Sequence, residues 1–236
     1  QLPPNTSVAS LVRREIPVQS AHGFRIELSA SDEPGAAAAE ILPDLATCHE
    51  CLAEILDPAD RRFGYPFSNC THCGPRFSIV LDLPYDRANT TMRSFAMCDA
   101  CQKEYESPPD RRFHAQPNAC PDCGPQLQWL DQSGRPLAER ENALEQAAAA
   151  IEDGKLVAVK GVGGFHLFAD ARNPLAIDQL RQRNRRPGKP YALMVPSLES
   201  AGAEAEVSNL DAEWLSSAAA PIVILRRRAT CQLPET

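Results

Sequence analysis

Eight of the nine cysteines in this chain form four Cys-x-x-Cys pairs, arranged as two copies of one spacing. Within each copy, 18 residues separate the first pair from the second. The first copy contains Cys48, Cys51, Cys70 and Cys73, and the second contains Cys98, Cys101, Cys120 and Cys123. Each cysteine of the second copy lies 50 residues after its counterpart, and the Asp-Arg-Arg-Phe segment at 60–63 recurs at 110–113. The sequence therefore predicts a duplicated module.

This spacing is typical of structural zinc sites. A Cys-x-x-Cys turn presents two thiolates to one metal, and a tetrahedral zinc ion needs four such donors. Two turns complete one closed site in each copy, so we predict a duplicated zinc-finger module with two zinc ions that hold the fold and take no part in chemistry. His49 and His72 lie inside two of the turns, but four sulfurs already fill each coordination shell, and we expect neither histidine to be a ligand.

Disulfide bonds and redox chemistry account less well for the paired cysteines. A disulfide framework is typical of secreted chains, and we identify no apolar signal segment. A thioredoxin-like redox pair usually stands alone after a strand, whereas four pairs occur here in register. Cross-braced zinc ligation is compatible with eight cysteines, although the repeat favours two sequential sites. Cys231 is left over near the chain end and is predicted to be a packing residue.

The composition is that of a globular protein. The 236 residues are 43% hydrophobic and 23% charged, with a formal net charge of −7. No apolar run approaches the ~20 residues that a membrane span requires. From residue 48 to 123 there are 8 Lys or Arg and 11 Asp or Glu, a balance of −3, whereas nucleic-acid-binding modules are usually basic. We therefore expect a cytoplasmic protein that has neither a membrane nor a nucleic acid as its partner.

The chain divides into three segments by composition. Residues 1–40 contain two strand-like runs, at 7–16 and 24–28, followed by a linker rich in small residues. Residues 41–135 form the zinc module. In residues 136–236, alternating helical and strand patterns predict an α/β domain.

Local signals set the expected elements of that domain. A helix is predicted at 142–153, ended by Gly154, and a second one follows the N-cap Asn173 as far as about Arg183. Strands are predicted at 156–159, 165–168, 191–195 and 222–225.

The segment from residue 160 to 166 is one candidate for ligand binding. It follows a predicted strand, where α/β sheets usually bind ligands, and it contains Lys160, Gly163, Gly164 and His166. Glycines allow backbone amides to approach a phosphate, and Lys160 adds positive charge. A tight turn between two strands explains the same glycines without any ligand.

A second candidate lies at residues 181–190, which carry five positive charges and no acid. Such clusters are usually solvated helix ends. Here two prolines and a glycine restrict the loop, as a phosphate clamp requires. Its candidate nucleotide contacts are Arg183, Arg185, Arg186 and Lys189.

In this order, the motifs resemble the HypF family of hydrogenase maturation carbamoyltransferases. The resemblance rests on both cysteine quartets with Gly-Pro after each, and on the segments 111–117, 160–166 and 186–190. It implies that residues 1–40 are the tail of an acylphosphatase-like domain plus a linker, and that residues 136–236 are part of a YrdC-like nucleotide-binding domain. One position departs from the family pattern, because Asn184 stands where a lysine is usual.

The resemblance also implies a reaction. Carbamoyl phosphate is hydrolysed to carbamate, and the YrdC-like domain joins carbamate to ATP, with Mg, as carbamoyl-adenylate. A further domain passes the carbamoyl group to the C-terminal cysteine of HypE, as a precursor of the cyanide ligand of nickel–iron hydrogenase. The residues expected to bind the nucleotide are the eight candidates named above, and no catalytic residue is assigned.

Two other functions account for parts of the pattern. Threonylcarbamoyl-adenylate synthesis for tRNA modification would account for the YrdC-like half, but that resemblance includes no zinc module. A zinc-scaffolded module that binds RNA or protein would account for the metals, although the negative balance of residues 48–123 disfavours RNA.

Overall fold

The computed structural model describes residues 8, 10–15, 17, 41–185 and 190–234. Of the two strand-like runs predicted near the N-terminus, the described residues 8 and 10–15 form no strand, and 24–28 lies outside the described residues. Among the helices that are described, none combines the length and apolar character needed to cross a membrane.

The cysteine-rich module contains little regular secondary structure. Its α-helices, α1 (His49–Leu56) and α2 (Asp99–Glu106), have eight residues each. Single 3-10 turns occur at Phe77–Ile79, Arg87–Asn89 and Thr91–Ser94. Cys48 and Cys98 are the N-caps of α1 and α2, so the first cysteine of each copy lies at the positive end of a helix. Helix N-termini favour negative charge, which suits a thiolate.

A small apolar core joins the two copies. Tyr65 and Ala119 pack there with Ile79 and Met92. The Tyr65 hydroxyl donates a hydrogen bond of 3.2 Å to the Pro125 carbonyl oxygen. Because so few large apolar side chains are buried, hydrophobic burial alone provides little of the folding free energy of this module. Structural zinc, by comparison, contributes about 10–16 kcal/mol per ion in zinc-finger peptides.

A hairpin and a helix follow the module. The strands β1 (Gln128–Leu130) and β2 (Pro136–Glu139) pair antiparallel and pack against α3 (Arg140–Glu152). The helix predicted at 142–153 is confirmed, and it ends two residues before Gly154, whose φ of +77° favours glycine. The domain boundary predicted between residues 135 and 136 falls inside the hairpin and stays a prediction.

The next two elements agree with the sequence. The strands β3 (Val157–Gly161) and β4 (Gly164–Phe168) form an antiparallel hairpin in which Gly161 pairs with Gly164. Both predicted strands are confirmed, and so is the interpretation of the glycines as a tight turn. The helix α4 (Pro174–Asn184) follows, and the Asn173 side-chain oxygen accepts hydrogen bonds from the first turn of that helix, as expected of an N-cap.

The remaining elements are short. They are α5 (Leu198–Glu204), β5 (Ala205–Glu206), α6 (Asn209–Leu215) and β6 (Arg226–Arg227), with β5 and β6 paired antiparallel. The predicted strands at 191–195 and 222–225 are wrong, because neither segment has strand structure. A strand forms where a neighbour supplies hydrogen bonds and apolar surface, and among the described residues no strand pairs with either segment. Met194 and Ile224 are accordingly 80% and 97% exposed.

Candidate metal centres and nucleotide-binding residues

The four cysteines of the first copy converge on one point. The sulfur of Cys70 lies 3.7 Å from that of Cys48 and 3.9 Å from that of Cys73, and all four sulfurs lie within 4.8 Å of one another. Around a tetrahedral zinc with Zn–S bonds of about 2.3 Å, neighbouring sulfurs are about 3.8 Å apart. The first cluster therefore fits a zinc ion.

The second copy repeats this geometry. The sulfur of Cys120 lies 3.7 Å from the sulfurs of Cys98 and Cys123, and Cys123 lies 3.6 Å from Cys101. The two clusters consist of Cys48, Cys51, Cys70 and Cys73, and of Cys98, Cys101, Cys120 and Cys123. The predicted sequential pairing is confirmed over the cross-braced alternative. Neither His49 nor His72 belongs to a cluster.

The donor set fits zinc in a structural role. Four thiolates in a tetrahedron suit zinc, and such a site leaves no position open for a substrate. Burial agrees, since Cys51, Cys70 and Cys101 have no exposed surface. The two clusters are therefore suited to holding the fold.

A glycine shapes the end of the first cluster. Gly74 follows Cys73 and has a φ of +89°, and a Cβ there would lie 2.6 Å from the Cβ of Asn69. Only glycine fits this close approach. The neighbouring Asn69 side chain donates a hydrogen bond of 2.9 Å to the Pro117 carbonyl oxygen, which connects the first copy to the second.

The repeated Arg-Arg pairs link the two copies in a reciprocal way. Arg62 of the first copy binds Glu104 of the second through two hydrogen bonds, at 3.0 and 2.6 Å. Arg112 of the second copy binds Glu54 of the first through the same pair of nitrogens. Both guanidinium groups are buried, and each donates from Nε to a carbonyl oxygen of the other copy.

These contacts lower the pKa of both glutamates, Glu104 and Glu54. Burial alone would raise the pKa of Glu104, but the hydrogen bonds from Arg62 and Arg61 outweigh it and lower the pKa to about 2. Arg112 and Arg111 lower the pKa of Glu54 in the same way. These two glutamates are not among the residues predicted from the sequence, although their separation of 50 residues matches the repeat and is a signal for them.

The first nucleotide-site candidates lie on the β3–β4 hairpin. Lys160 pairs with Phe165, and His166 pairs with Val159. Because side chains alternate along a strand, Lys160 and His166 project from opposite faces. Val157 is buried and marks the inner face, so His166 lies on that face near the turn, and Lys160 lies on the outer one. Gly163 lies in the two-residue turn and Gly164 begins β4, and both have open space where a Cβ would be.

The second group of candidates lies at and beyond the end of α4. Arg183 is in its last turn, and Arg185 is the C-cap, in a left-handed conformation with a φ of +46°. The Arg181 guanidinium lies 5.2 Å from the centre of the Tyr191 ring, a cation–π contact that connects both ends of the basic loop. Arg186 and Lys189 lie outside the described residues. Their predicted contacts, like those of the hairpin residues, stay predictions.

Comparisons with known proteins place these motifs in one family. The HypF finger model matches residues 47–80 and again 97–130, and a Sua5/YciO/YrdC model, described as telomere recombination, matches residues 149–236. Carbamoyltransferase HypF of Synechocystis is 51% identical over 234 residues, which is 99% of this chain and 30% of that protein. The chain belongs to the HypF family.

A further relative and two solved structures also match this chain. The probable HypF of Methanocaldococcus jannaschii is 48% identical over 184 residues, covering 78% of the chain and 24% of that protein. The crystal structure of T. kodakarensis HypF matches with a TM-score of 0.79 and 46% identity, over 85% of this chain and 26% of that one. A full-length HypF in a phosphate- and nucleotide-bound form matches with a TM-score of 0.72 and 44% identity, over 80% and 24%. The chain thus spans less than a third of these HypF relatives.

Proposed function

We propose that this chain is the central segment of a hydrogenase maturation carbamoyltransferase. The observation that carries the proposal is the 51% identity to a carbamoyltransferase HypF over 99% of the chain. The two four-cysteine clusters support it, because they reproduce in space the pairing that the HypF finger matches imply. Because the chain spans 30% of that relative, the proposal concerns the activity of the whole protein.

The proposed reaction uses carbamoyl phosphate and ATP as substrates. Carbamate derived from carbamoyl phosphate attacks the α-phosphorus of ATP, so that a carbamoyl-adenylate forms and pyrophosphate leaves. The sulfur of the C-terminal cysteine of HypE then loses its proton and bonds to the carbamoyl carbon, and AMP leaves. Support for a nucleotide comes from the YrdC match and from the nucleotide-bound HypF structure, and we propose that Mg accompanies the ATP.

Within this segment, the hairpin and the basic loop supply the groups for phosphate binding. The open space at Gly163 and Gly164 leaves room for a phosphate beside the turn. Lys160, on the outer face, and the cations at and beyond the end of α4 would offset the charge that develops on the leaving pyrophosphate. Because His166 projects from the inner face, we assign it to shaping the pocket and not to the contact made by Lys160.

Pyrophosphate release tests the proposed function. We expect the full-length protein to release pyrophosphate from ATP only when carbamoyl phosphate is supplied, since carbamate is the attacking group. A coupled pyrophosphate assay with each substrate omitted in turn makes the measurement. Release that depends on bicarbonate and threonine would replace this proposal with threonylcarbamoyl-adenylate synthesis.

Lys160 provides a residue-level test of the same site. We expect Lys160→Gln to lower the rate of carbamoyl-phosphate-dependent pyrophosphate release about tenfold, because one charge facing the leaving group is lost. Lys155→Gln is the matched control, since Lys155 is exposed, pairs with the nearby Asp153 and lies before the hairpin. Equal rates for the two variants would remove Lys160 from the site.

A further inference from the structure

The guanidinium groups of the repeated Arg-Arg pairs reach the metal clusters as well as the glutamates. Arg61 of the first copy donates to the Cys101 sulfur at 3.3 Å, and Arg111 of the second copy donates to the Cys51 sulfur at 3.0 Å. Arg62 and Arg112 make longer contacts, of 3.8 and 3.9 Å, with the same two sulfurs, and Arg111 also lies 3.8 Å from the Cys48 sulfur. In the described part of the chain, every hydrogen bond from an arginine to a cysteine sulfur crosses from one copy to the other.

The charge of the clusters explains why such contacts matter. Four thiolates and one Zn²⁺ carry a net charge of −2, and the charge density lies on the sulfurs. A guanidinium that donates a hydrogen bond to a sulfur withdraws part of that density. The sulfur then becomes a poorer nucleophile and a poorer site for protonation. Groups that hydrogen-bond to metal ligands typically change metal affinity by about 10- to 100-fold.

The surroundings of these arginines hold them in place. All four line one cleft of about 460 Å³ at the junction of the copies, together with Glu54 and Glu104. Each glutamate pairs with both arginines of the opposite copy. Glu54 is one turn after Cys51 in α1, and Glu104 is one turn after Cys101 in α2. Each helix therefore presents a sulfur and a carboxylate together to the opposite Arg-Arg pair.

We propose that each copy supplies the outer hydrogen-bonding partners of the other copy's zinc–thiolate cluster, so that the two metal sites protect each other. Arg111 protects the first cluster, although it belongs by sequence to the second, and Arg61 protects the second. This protection concerns metal retention and thiolate reactivity, and it is independent of the proposed carbamoyl transfer.

Site-resolved alkylation of the zinc-loaded chain tests the proposal. The probe is N-ethylmaleimide, and the modification rate of each cysteine is followed by peptide mass spectrometry. We expect Arg111→Gln to accelerate modification of Cys48 and Cys51 on the order of tenfold while leaving Cys98 and Cys101 at the rate of the unaltered chain. Arg61→Gln should do the reverse, accelerating modification of Cys101 and leaving Cys51 unchanged.

The design separates crossed protection from a general loss of structure. Arg93→Gln is the matched control, because Arg93 is an exposed arginine of the same module. This substitution should leave the modification rate of every cysteine unchanged. Acceleration within the copy that carries the substitution, equal acceleration in both copies, or no acceleration at all would each overturn the proposal. Arg111→Lys keeps the positive charge, and its rates of Cys48 and Cys51 modification should lie between those of the unaltered chain and those of Arg111→Gln.

Discussion

Cys70→Ser should release one of the two zinc ions and unfold the first copy of the cysteine-rich module. The Cys70 side chain is fully buried and its sulfur lies within 3.9 Å of the sulfurs of Cys48 and Cys73. Among the described residues, no further His, Cys, Asp or Glu belongs to this cluster to replace the lost thiolate. Structural zinc contributes about 10–16 kcal/mol to the folding of comparable sites. The small core around Tyr65 and Met92 cannot compensate for such a loss.

Two measurements check this expectation. Elemental analysis should find about one zinc per chain in place of about two, as expected for two closed four-cysteine sites. Amide hydrogen exchange should show loss of protection in α1 and around residue 74. There the backbone amides of Gly74 and Leu45 each donate a hydrogen bond to the carbonyl oxygen of the other residue.

Cys231→Ser is the matched control for this prediction. It is the same chemical change at a free cysteine that belongs to neither cluster. We expect two zinc ions and unchanged exchange protection. If Cys70→Ser also kept two metals and a folded first copy, the zinc assignment of that cluster would be wrong.

The metal clusters were predictable because their information is local. A Cys-x-x-Cys turn fixes the distance between its own two sulfurs whatever surrounds it, and the repeat showed which turns belong together. The same holds for the hairpin around Gly163 and for the start of α4 at Asn173, since turns and N-caps depend on a few neighbouring residues.

The contacts between the copies were not predictable in this way. The repeated Arg-Arg pairs were visible in the sequence, but nothing local indicates that Arg62 reaches a helix 42 residues away. The prediction of strands at 191–195 and 222–225 was wrong for a related reason. An apolar, β-branched composition gives a segment a preference for strand structure. A strand also needs a pairing partner, which only the tertiary structure provides.

The hairpin shows how closeness in the sequence can group residues that the fold separates. Lys160 and His166 are six residues apart, and this closeness predicts that they share one site. The alternation of side chains along paired strands places them on opposite faces, because Lys160 aligns with Phe165 and His166 with Val159.

Arg62→Ala should lower the free energy of unfolding of the zinc-loaded chain by about 3–5 kcal/mol, the range found when one partner of a buried ion pair is removed. Arg62 is 2% exposed and donates hydrogen bonds to Glu104, Asn118 and the Ala119 carbonyl oxygen. Its loss leaves the Glu104 carboxylate with Arg61 as its one charged partner among the described residues, and it opens a cavity between the copies. Urea denaturation of the metal-loaded protein makes the measurement.

Arg135→Ala is the control that separates a buried from an exposed ion pair. Arg135 pairs with Asp131 in a hairpin turn, and its side chain is 79% exposed. Solvent screens such a pair, so its removal should cost less than about 1 kcal/mol. Equal effects of the two substitutions would mean that the Arg62–Glu104 contact does not join the copies in solution. A large effect for Arg62 alone would show that the two zinc-binding copies depend on each other for stability.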